Sequence, residues 1–331
     1  MKSYPIFMVY FLVIFLLIVR CSDDESANYD DINFKEEMRD FVISISNYGK
    51  SIKGSFLVVP QNGIELVTNT GEEDGALATY YLNAIDGNGQ EDLFYGYIEN
   101  DEPTPESSTD YLRTFLDKSH DAGNVILVTD YCYTHSNMDD SYAKNNAAGY
   151  VSFAADNRQL YNIPDYPVPI YSENNNVVVS LNQAKNFLYL INPAGSSTKA
   201  DFIDKITATN YDLLIMDYFL DDGTEFSLTD IAQLKQKANG GQRLLLAYMS
   251  IGEAEDYRYY WQENWNSNKP YWIVDENPDW KGNYKVEYWS QDWRNIIYGN
   301  DESYLKKIIN GGFDGVYLDI IDAFEYFEDQ Q

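Results

Sequence analysis

Eight apolar stretches recur along the chain, and several of them end in acidic residues. They cover residues 55–62, 82–95, 125–132, 186–192, 212–218, 243–250, 284–289 and 315–321. Between them, segments such as Phe34–Ile52, 109–122 and 228–238 place apolar residues at the 3.6-residue spacing of a helix. Alternating strands and helices are typical of a parallel α/β sheet, and eight such units predict a closed (β/α)8 TIM barrel.

Two long stretches, residues 134–182 and 253–283, do not fit short connections, and insertions of this kind often form the substrate side of a barrel. All six tryptophans lie between Trp261 and Trp293. Their rings could stack on sugars or could pack against one another and hold the insertion in place. We expect one or two ring faces to remain open.

The chain carries a formal net charge of −30. An acidic surface repels phosphate backbones and attracts cations, so a nucleic acid is a poor candidate partner. Two interpretations of the acidity remain open, namely solubility alone and attraction of a cationic ligand.

The N-terminus resembles a bacterial lipoprotein signal: Lys2 precedes an apolar stretch that ends at Arg20 and Cys21, and an acidic run follows. We predict a signal peptide over residues 1–21, lipidation at Cys21, a linker over 22–33 and one barrel domain over 34–331. The acidic run favours an outer membrane lipoprotein. Exposure at the cell surface stays open, and an uncleaved signal anchor is the alternative. Cys132 is expected to be a buried thiol, without an internal disulfide.

Several chemistries are excluded by what the chain lacks. The only histidines are His120 and His135, which are too few for a histidine-ligated zinc site, so we predict no metal. No nucleophile elbow, dinucleotide fingerprint or phosphate loop is present, so we predict no cofactor. Carboxylates with aromatic residues remain, and two carboxyl groups are what glycoside hydrolysis requires. The candidates at strand ends are Glu91, Asp92, Asp130, Asp217, Glu253, Glu255, Asp319 and Asp322.

Three segments, residues 247–258, 280–289 and 312–322, resemble the barrel of glycoside hydrolase family 114, whose characterised members are endo-α-1,4-polygalactosaminidases. Residues 59–63 and 89–95 are also similar to that family, and the resemblance covers nearly all of residues 35–327. In the family the counterpart of residues 186–192 opens the barrel, whereas here three strand units precede it. The resemblance therefore implies a circularly permuted barrel.

The resemblance also implies roles for individual residues. Asp319 corresponds to the nucleophile or charge stabiliser, and Glu91 corresponds to the proton donor. The residues expected to line the pocket and bind substrate are Asn62, Asp130, Asp217, Tyr248, Glu253, Trp289 and Tyr317. The implied activity is hydrolysis of an α-linked galactosamine-type polysaccharide. Two other hypotheses remain open, a non-catalytic glycan-binding lipoprotein and a structural envelope protein.

Overall fold

A computed structural model describes residues 29, 31–192, 196, 198–220 and 222–331. The predicted signal peptide, its Cys21 and most of the linker lie outside the described residues. Within the described part of the chain, no helix is both long and apolar enough to span a membrane.

The described residues form a mixed α/β fold whose main strands are parallel. The strands are β1 (Leu57–Pro60), β2 (Gly87–Glu91), β3 (Val125–Tyr131), β4 (Val151–Ala155), β5 (Phe187–Leu190), β6 (Leu213–Met216), β7 (Leu244–Ser250), β8 (Glu253–Glu255), β9 (Ile273–Glu276), β10 (Asn283–Val286) and β11 (Gly315–Asp319). The α-helices are α1 (Phe34–Ile52), α2 (Thr79–Ala84), α3 (Glu106–Asp121), α4 (His135–Ala148), α5 (Lys199–Thr207), α6 (Leu228–Leu234), α7 (Gln291–Ile297), α8 (Tyr304–Gly311) and α9 (Ala323–Glu328).

Two parallel sheets contain the eight strands that face the core. One has the order β1-β11-β7-β6-β5 and the other the order β2-β3-β4. On one side the sheets are joined by backbone hydrogen bonds, because the Asn62 N–H donates to the Gly89 carbonyl at 2.9 Å and the Asp86 N–H donates to the Val58 carbonyl at 2.9 Å. On the other side β4 contacts β5, and the rings of Phe153 and Phe187 lie 5.8 Å apart.

Seven of the eight predicted stretches contain a strand of these sheets, and the prediction for residues 284–289 is wrong. Asn283–Val286 instead forms β10, which is antiparallel to both β8 and β9 in a separate three-stranded sheet. The eighth core strand is Val151–Ala155, which lies inside the stretch 134–182 that the sequence analysis treated as an insertion. Its serine and alanines give a weak apolar signal although four of its five residues are buried.

Helix α1 packs against β1 and against helices α2, α8 and α9. It begins where the Asn33 side chain accepts a hydrogen bond from the Glu36 N–H, a common N-cap arrangement. As the periodicity predicted, the buried face includes Met38, Phe41 and Val42. Burial of each large apolar side chain contributes roughly 1.5–3 kcal/mol, so this helix is firmly attached to the sheet.

Tyrosine rings fill the interior below the strand ends. A Cβ atom on Gly89 would lie 2.0 Å from the Tyr317 hydroxyl oxygen, so only glycine leaves room for that ring beside β2. The Tyr189 ring packs at 5.2 Å from Tyr317, and its hydroxyl donates to Gln61 Oε1 at 3.0 Å. Interior packing therefore holds Gln61 in place at the end of β1.

Candidate functional site

The carboxyl ends of the parallel strands surround one cavity of about 860 Å³, here called the large cavity. Glu91 at the end of β2 and Asp319 at the end of β11 both line it. The two acids are far apart in the chain, and their strands flank β1 on either side. The cavity thus brings together the two residues that the resemblance marked as a catalytic pair.

Glu91 is held by three hydrogen-bond donors. Its Oε2 accepts from Gln61 Nε2 at 2.7 Å and from Asn62 Nδ2 at 3.0 Å, and its Oε1 accepts from the Tyr131 hydroxyl. These three donors hold the carboxyl group of Glu91 in one orientation at the end of β2.

Asn62 is positioned by its backbone as well as by its side chain. Its φ of 57° lies in the left-handed region, which asparagine tolerates better than most residues. This conformation lets Asn62 Oδ1 accept from the Glu91 N–H at 3.1 Å while its Nδ2 donates to the Glu91 carboxylate. One side chain therefore contacts both the backbone and the acid group of Glu91.

Asp319 has a different environment. Its Oδ2 accepts from the Tyr248 hydroxyl at 2.6 Å, and Tyr248 lies on the adjacent strand, where it is paired with Tyr317. Burial, and next the negative charge of Glu91, raise the pKa of Asp319 to about 7. The two carboxyl groups are thus electrostatically coupled, and Asp319 can hold a proton near neutral pH.

A buried ion triad forms another part of the wall. Arg258 donates to Glu255 Oε2 at 2.6 Å through Nε and to Asp217 at 2.7 Å through Nη1. The Tyr257 hydroxyl donates to Glu255 Oε1 at 2.6 Å. Arg258 therefore holds Asp217 in place at the cavity wall, and burial raises the pKa of Asp217 although the charge of Arg258 opposes this effect.

Glu253 is almost completely buried yet lines the large cavity. Its Oε1 accepts from Asn277 Nδ2 at 2.8 Å and lies 3.4 Å from Lys285 Nζ. Its Oε2 has no hydrogen-bond partner among the described residues. A buried carboxylate oxygen without a donor is costly, and no described residue offsets this cost.

The tryptophans divide between the two roles that the sequence left open. Trp261, Trp265, Trp272 and Trp293 form a chain of ring contacts in which successive centroids lie 5.3 Å apart. Trp280 is 49% exposed and lines the large cavity. Most of the cluster therefore holds the insertion in place, and one indole remains open for a ligand.

Three residues expected in the pocket do not line the large cavity. Asp130 is fully buried on the opposite face of β3, where it accepts hydrogen bonds from Ser141 and Asn145 of α4 and from two backbone N–H groups. Tyr317 lies deeper in the interior, and its hydroxyl has no partner among the described residues. Trp289 packs on aromatic rings that include Phe327, at 4.7 Å. Side chains alternate between the two faces of a strand, so Asp130 points away from the cavity that its neighbours on β3 face.

The predicted pocket residues Asn62, Asp217, Tyr248 and Glu253 do line the large cavity. Sequence reasoning missed other lining residues, among them Gln61, Tyr131, Arg158 and Arg258. Tyr131 could have been found by alternation, because it shares a strand face with Thr129, which pairs in register with Glu91. Arg158 and Arg258 gave no such signal, because they lie in irregular segments that only the folded chain brings to the cavity.

Arg158 belongs to a second ion pair at the cavity edge. It donates to both carboxylate oxygens of Asp92, at 2.8 and 3.0 Å, and its guanidinium lies 4.0 Å from the Tyr131 ring centroid. Within the described ranges no group of three or more histidine, cysteine or acidic side chains could hold a metal ion. His120 and His135 contact tyrosine rings instead.

Part of the chain is similar to known proteins. Residues 171–331 match the model of glycoside-hydrolase family GH114. An uncharacterized protein of Methanocaldococcus jannaschii is 48% identical over 128 residues, which are 38% of this chain and 34% of that protein. An uncharacterized protein of Thermotoga maritima is 41% identical over 123 residues, 37% of this chain and 36% of that protein. The chain thus spans little more than a third of the length of these curated relatives.

Proposed function

We propose that the protein is a glycoside hydrolase with Glu91 and Asp319 as its catalytic carboxyl groups, because residues 171–331 match the model of glycoside-hydrolase family GH114. The observation that carries this proposal is that both acids line one cavity and that the charge of Glu91 acts on Asp319. Hydrolysis of a glycosidic bond needs one carboxyl group that donates a proton and one that is charged.

Asp319 can hold a proton near neutral pH in the free protein. Burial and the charge of Glu91 raise the pKa of Asp319 to about 7, whereas Glu91 accepts hydrogen bonds from three side chains. The family resemblance assigns attack to Asp319 and proton donation to Glu91. With these roles, catalysis requires the proton held by Asp319 to move to Glu91 when substrate binds.

The proposed substrate is an α-linked galactosamine-type polysaccharide. The net charge of −30 favours approach of a polymer that carries ammonium groups. The open Trp280 ring at the large cavity suits the face of a sugar.

We further infer that the two parallel sheets form a closed, circularly permuted (β/α)8 barrel. The hydrogen bonds between the ends of β1 and β2 and the contact between β4 and β5 support closure. Strands β1 to β4 precede residue 171, where the match to the family model begins, and this supports the permuted order. The lipid anchor at Cys21 and the outer membrane location remain part of the proposal, on the N-terminal sequence alone.

The test is release of reducing ends from partly deacetylated α-1,4-galactosaminoglycan by the protein without its predicted signal peptide. Glu91→Gln and Asp319→Asn serve as controls, and each should lose about 10³-fold or more of the activity. Failure of the wild-type protein to hydrolyse any member of a broad glycan panel would overturn the proposal and favour a non-catalytic glycan-binding role.

A further inference from the structure

Arg158 joins two segments of the chain at the edge of the large cavity. Its Nη1 and Nη2 donate to the two carboxylate oxygens of Asp92 at 3.0 and 2.8 Å, and Nη2 also donates to the Gly96 carbonyl at 2.9 Å. Its Nε donates to Asn100 Oδ1 at 3.0 Å. These partners lie in the segment that follows β2, whereas Arg158 lies in the segment that follows β4. The fork-shaped guanidinium group therefore fixes one segment against the other.

The guanidinium group of Arg158 also lies against the ring of Tyr131, the last residue of β3. The carbon atom of that group is 4.0 Å from the ring centroid, and Tyr131 is buried. Both the attraction of a cation to an aromatic face and the packing of two flat groups stabilise such a contact. The Tyr131 hydroxyl donates to Glu91 Oε1. A single tyrosine ring therefore connects Arg158 to the proposed catalytic acid.

The charges around Tyr131 keep its hydroxyl group protonated. Burial, and then the charge of Glu91, raise the pKa of Tyr131 well above its usual value, although the charge of Arg158 opposes this effect. The hydroxyl therefore retains its proton and acts as a donor toward Glu91. The positive charge beside the ring also favours negative charge on the hydroxyl oxygen, which strengthens the hydrogen bond that this group donates.

A second route from Arg158 to Glu91 leads through Asp92, which follows Glu91 in the chain. The backbone of Asp92 is already held without Arg158, because its N–H donates to the Thr129 carbonyl at 2.9 Å and its carbonyl accepts from the Thr104 hydroxyl at 2.7 Å. These two hydrogen bonds fix the place of Asp92 at the end of β2. The route through the Tyr131 ring is therefore the one along which Arg158 can affect Glu91.

Another group of arginine, aspartate and tyrosine provides a comparison away from the large cavity. Arg113 donates to Asp117 Oδ2 at 3.3 Å, and the Tyr150 hydroxyl donates to the other carboxylate oxygen of Asp117. There the arginine and the tyrosine share one acid. At the cavity edge, in contrast, the arginine binds one acid and the tyrosine binds another, so the ring contact connects the ion pair to Glu91.

We propose that Arg158 is a positioning residue: by packing on the Tyr131 ring it keeps the Tyr131 hydroxyl directed at Glu91, and it thereby holds this acid in the orientation that catalysis needs. The catalytic part of this inference rests on the proposed function, whereas the connection from Arg158 through Tyr131 to Glu91 does not. Small displacements of a reacting group cost activity, so a residue that does not react itself can still determine the rate.

The connection is tested without substrate, by fluorine NMR on protein labelled with 3-fluorotyrosine. The Tyr131 signal is the one that Tyr131→Phe removes. Glu91→Gln should shift this signal, because the partner of the hydroxyl changes, and after Arg158→Met the shift should fall to about half or less. Arg113→Met is the matched control and should leave the Tyr131 signal and its response to Glu91→Gln unchanged. Equal shifts with and without Arg158, or no shift at all, would overturn the inference.

Hydrolysis kinetics test the catalytic part. Arg158→Met should lower kcat on the polymer about fivefold and change KM less than about twofold, because the orientation of Glu91 is lost and the binding of substrate is not. In the Tyr131→Phe background the same substitution should have no further effect, since the hydroxyl through which Arg158 acts is absent. Losses that multiply would show that Arg158 acts through Asp92 or independently, and would overturn the inference.

Arg158→Lys distinguishes positioning from a simple ion pair, and it replaces Arg158→Met if that variant does not fold. Lysine keeps the positive charge beside Asp92 but lacks the flat fork that packs on the ring, so it should restore about half or less of the lost kcat. Full restoration would overturn the positioning role. If the wild-type protein hydrolyses no glycan, the proposed function fails and the NMR comparison alone decides the connection to Glu91. If hydrolysis occurs but the NMR shifts do not depend on Arg158, the inference fails and the proposed function stands.

Discussion

The end of β2 and the end of β11 carry the two proposed catalytic acids, but they provide different surroundings. Glu91 receives hydrogen bonds from Gln61, Asn62 and Tyr131, whereas Asp319 receives one side-chain hydrogen bond, from Tyr248. Neighbouring strands supply three side-chain donors to Glu91 and one side-chain donor to Asp319. Two acids at one cavity can therefore have different surroundings because of neighbouring side chains that do not react themselves.

The largest expected effect separates the roles of the two acids. Asp319→Asn and Glu91→Gln should each reduce hydrolysis of the polymer about 10³-fold or more. On an aryl α-galactosaminide with a good leaving group, a variant that lacks the proton donor should recover activity, because such a leaving group departs without being protonated. We expect recovery for Glu91→Gln and none for Asp319→Asn.

The exposed substitution Glu102→Gln is the control for these rates and should behave like the wild-type protein. If Asp319→Asn recovered activity instead, Asp319 would be the proton donor and Glu91 the nucleophile. That outcome would agree with the raised pKa of Asp319 in the free protein.

The second effect concerns stability against pH. The pKa of Asp319 is about 7 in the folded protein and near 4 in an unfolded chain, so the folded state binds more protons between these values. Stability should therefore fall as pH rises from about 4 to about 7, by a few kcal/mol at most. Urea unfolding at a series of pH values should show a flatter curve for Asp319→Asn, and an unchanged slope would contradict the assignment.

The third prediction concerns Asp130, which sequence reasoning placed on the wrong face of β3. Asp130→Asn should lower the free energy of unfolding by about 1–3 kcal/mol, because the new amide group faces donors that now lack an acceptor. Activity per folded molecule should not change, since Asp130 lies outside the large cavity. A strong loss of kcat in fully folded protein would show that the cavity extends to Asp130.

The smallest effect distinguishes the two tyrosine donors. Tyr131→Phe removes one of three donors to Glu91 and should lower kcat/KM about tenfold, equivalent to about 1.4 kcal/mol. Tyr248→Phe removes the hydroxyl that lowers the pKa of Asp319, so the pH profile assigned to that acid should move to higher pH. Tyr133→Phe, at an exposed position, is the matched control. Identical pH profiles for Tyr248→Phe and the control would refute the effect of the Tyr248 hydroxyl on the pKa of Asp319.

The core strands show which strands the hydrophobic pattern predicts and which it does not. Strand β7 was predicted because most of its seven residues are apolar. In the structure all seven are buried. Strand β4 was missed because Val151–Ala155 contains small and polar residues, and β10 was misassigned because an apolar run can also belong to an antiparallel hairpin. Pattern reports the tendency to be buried, whereas the choice of partner strand depends on contacts that are distant in the chain.

The amino-acid sequence by itself determined the alternation of helices and strands, the exact extent of α1 and the identity of Glu91 and Asp319 as strand-end acids. These features depend on local periodicity and on residue type, which are readable along the chain. The tertiary structure alone decided which side of each strand faces the cavity, so it excluded Asp130 and brought in Tyr131. It also decided the pairing of Arg258 with Asp217. Hydrogen bonds and charge interactions fall off over a few ångströms, so they depend on distances in space that the order of residues does not give.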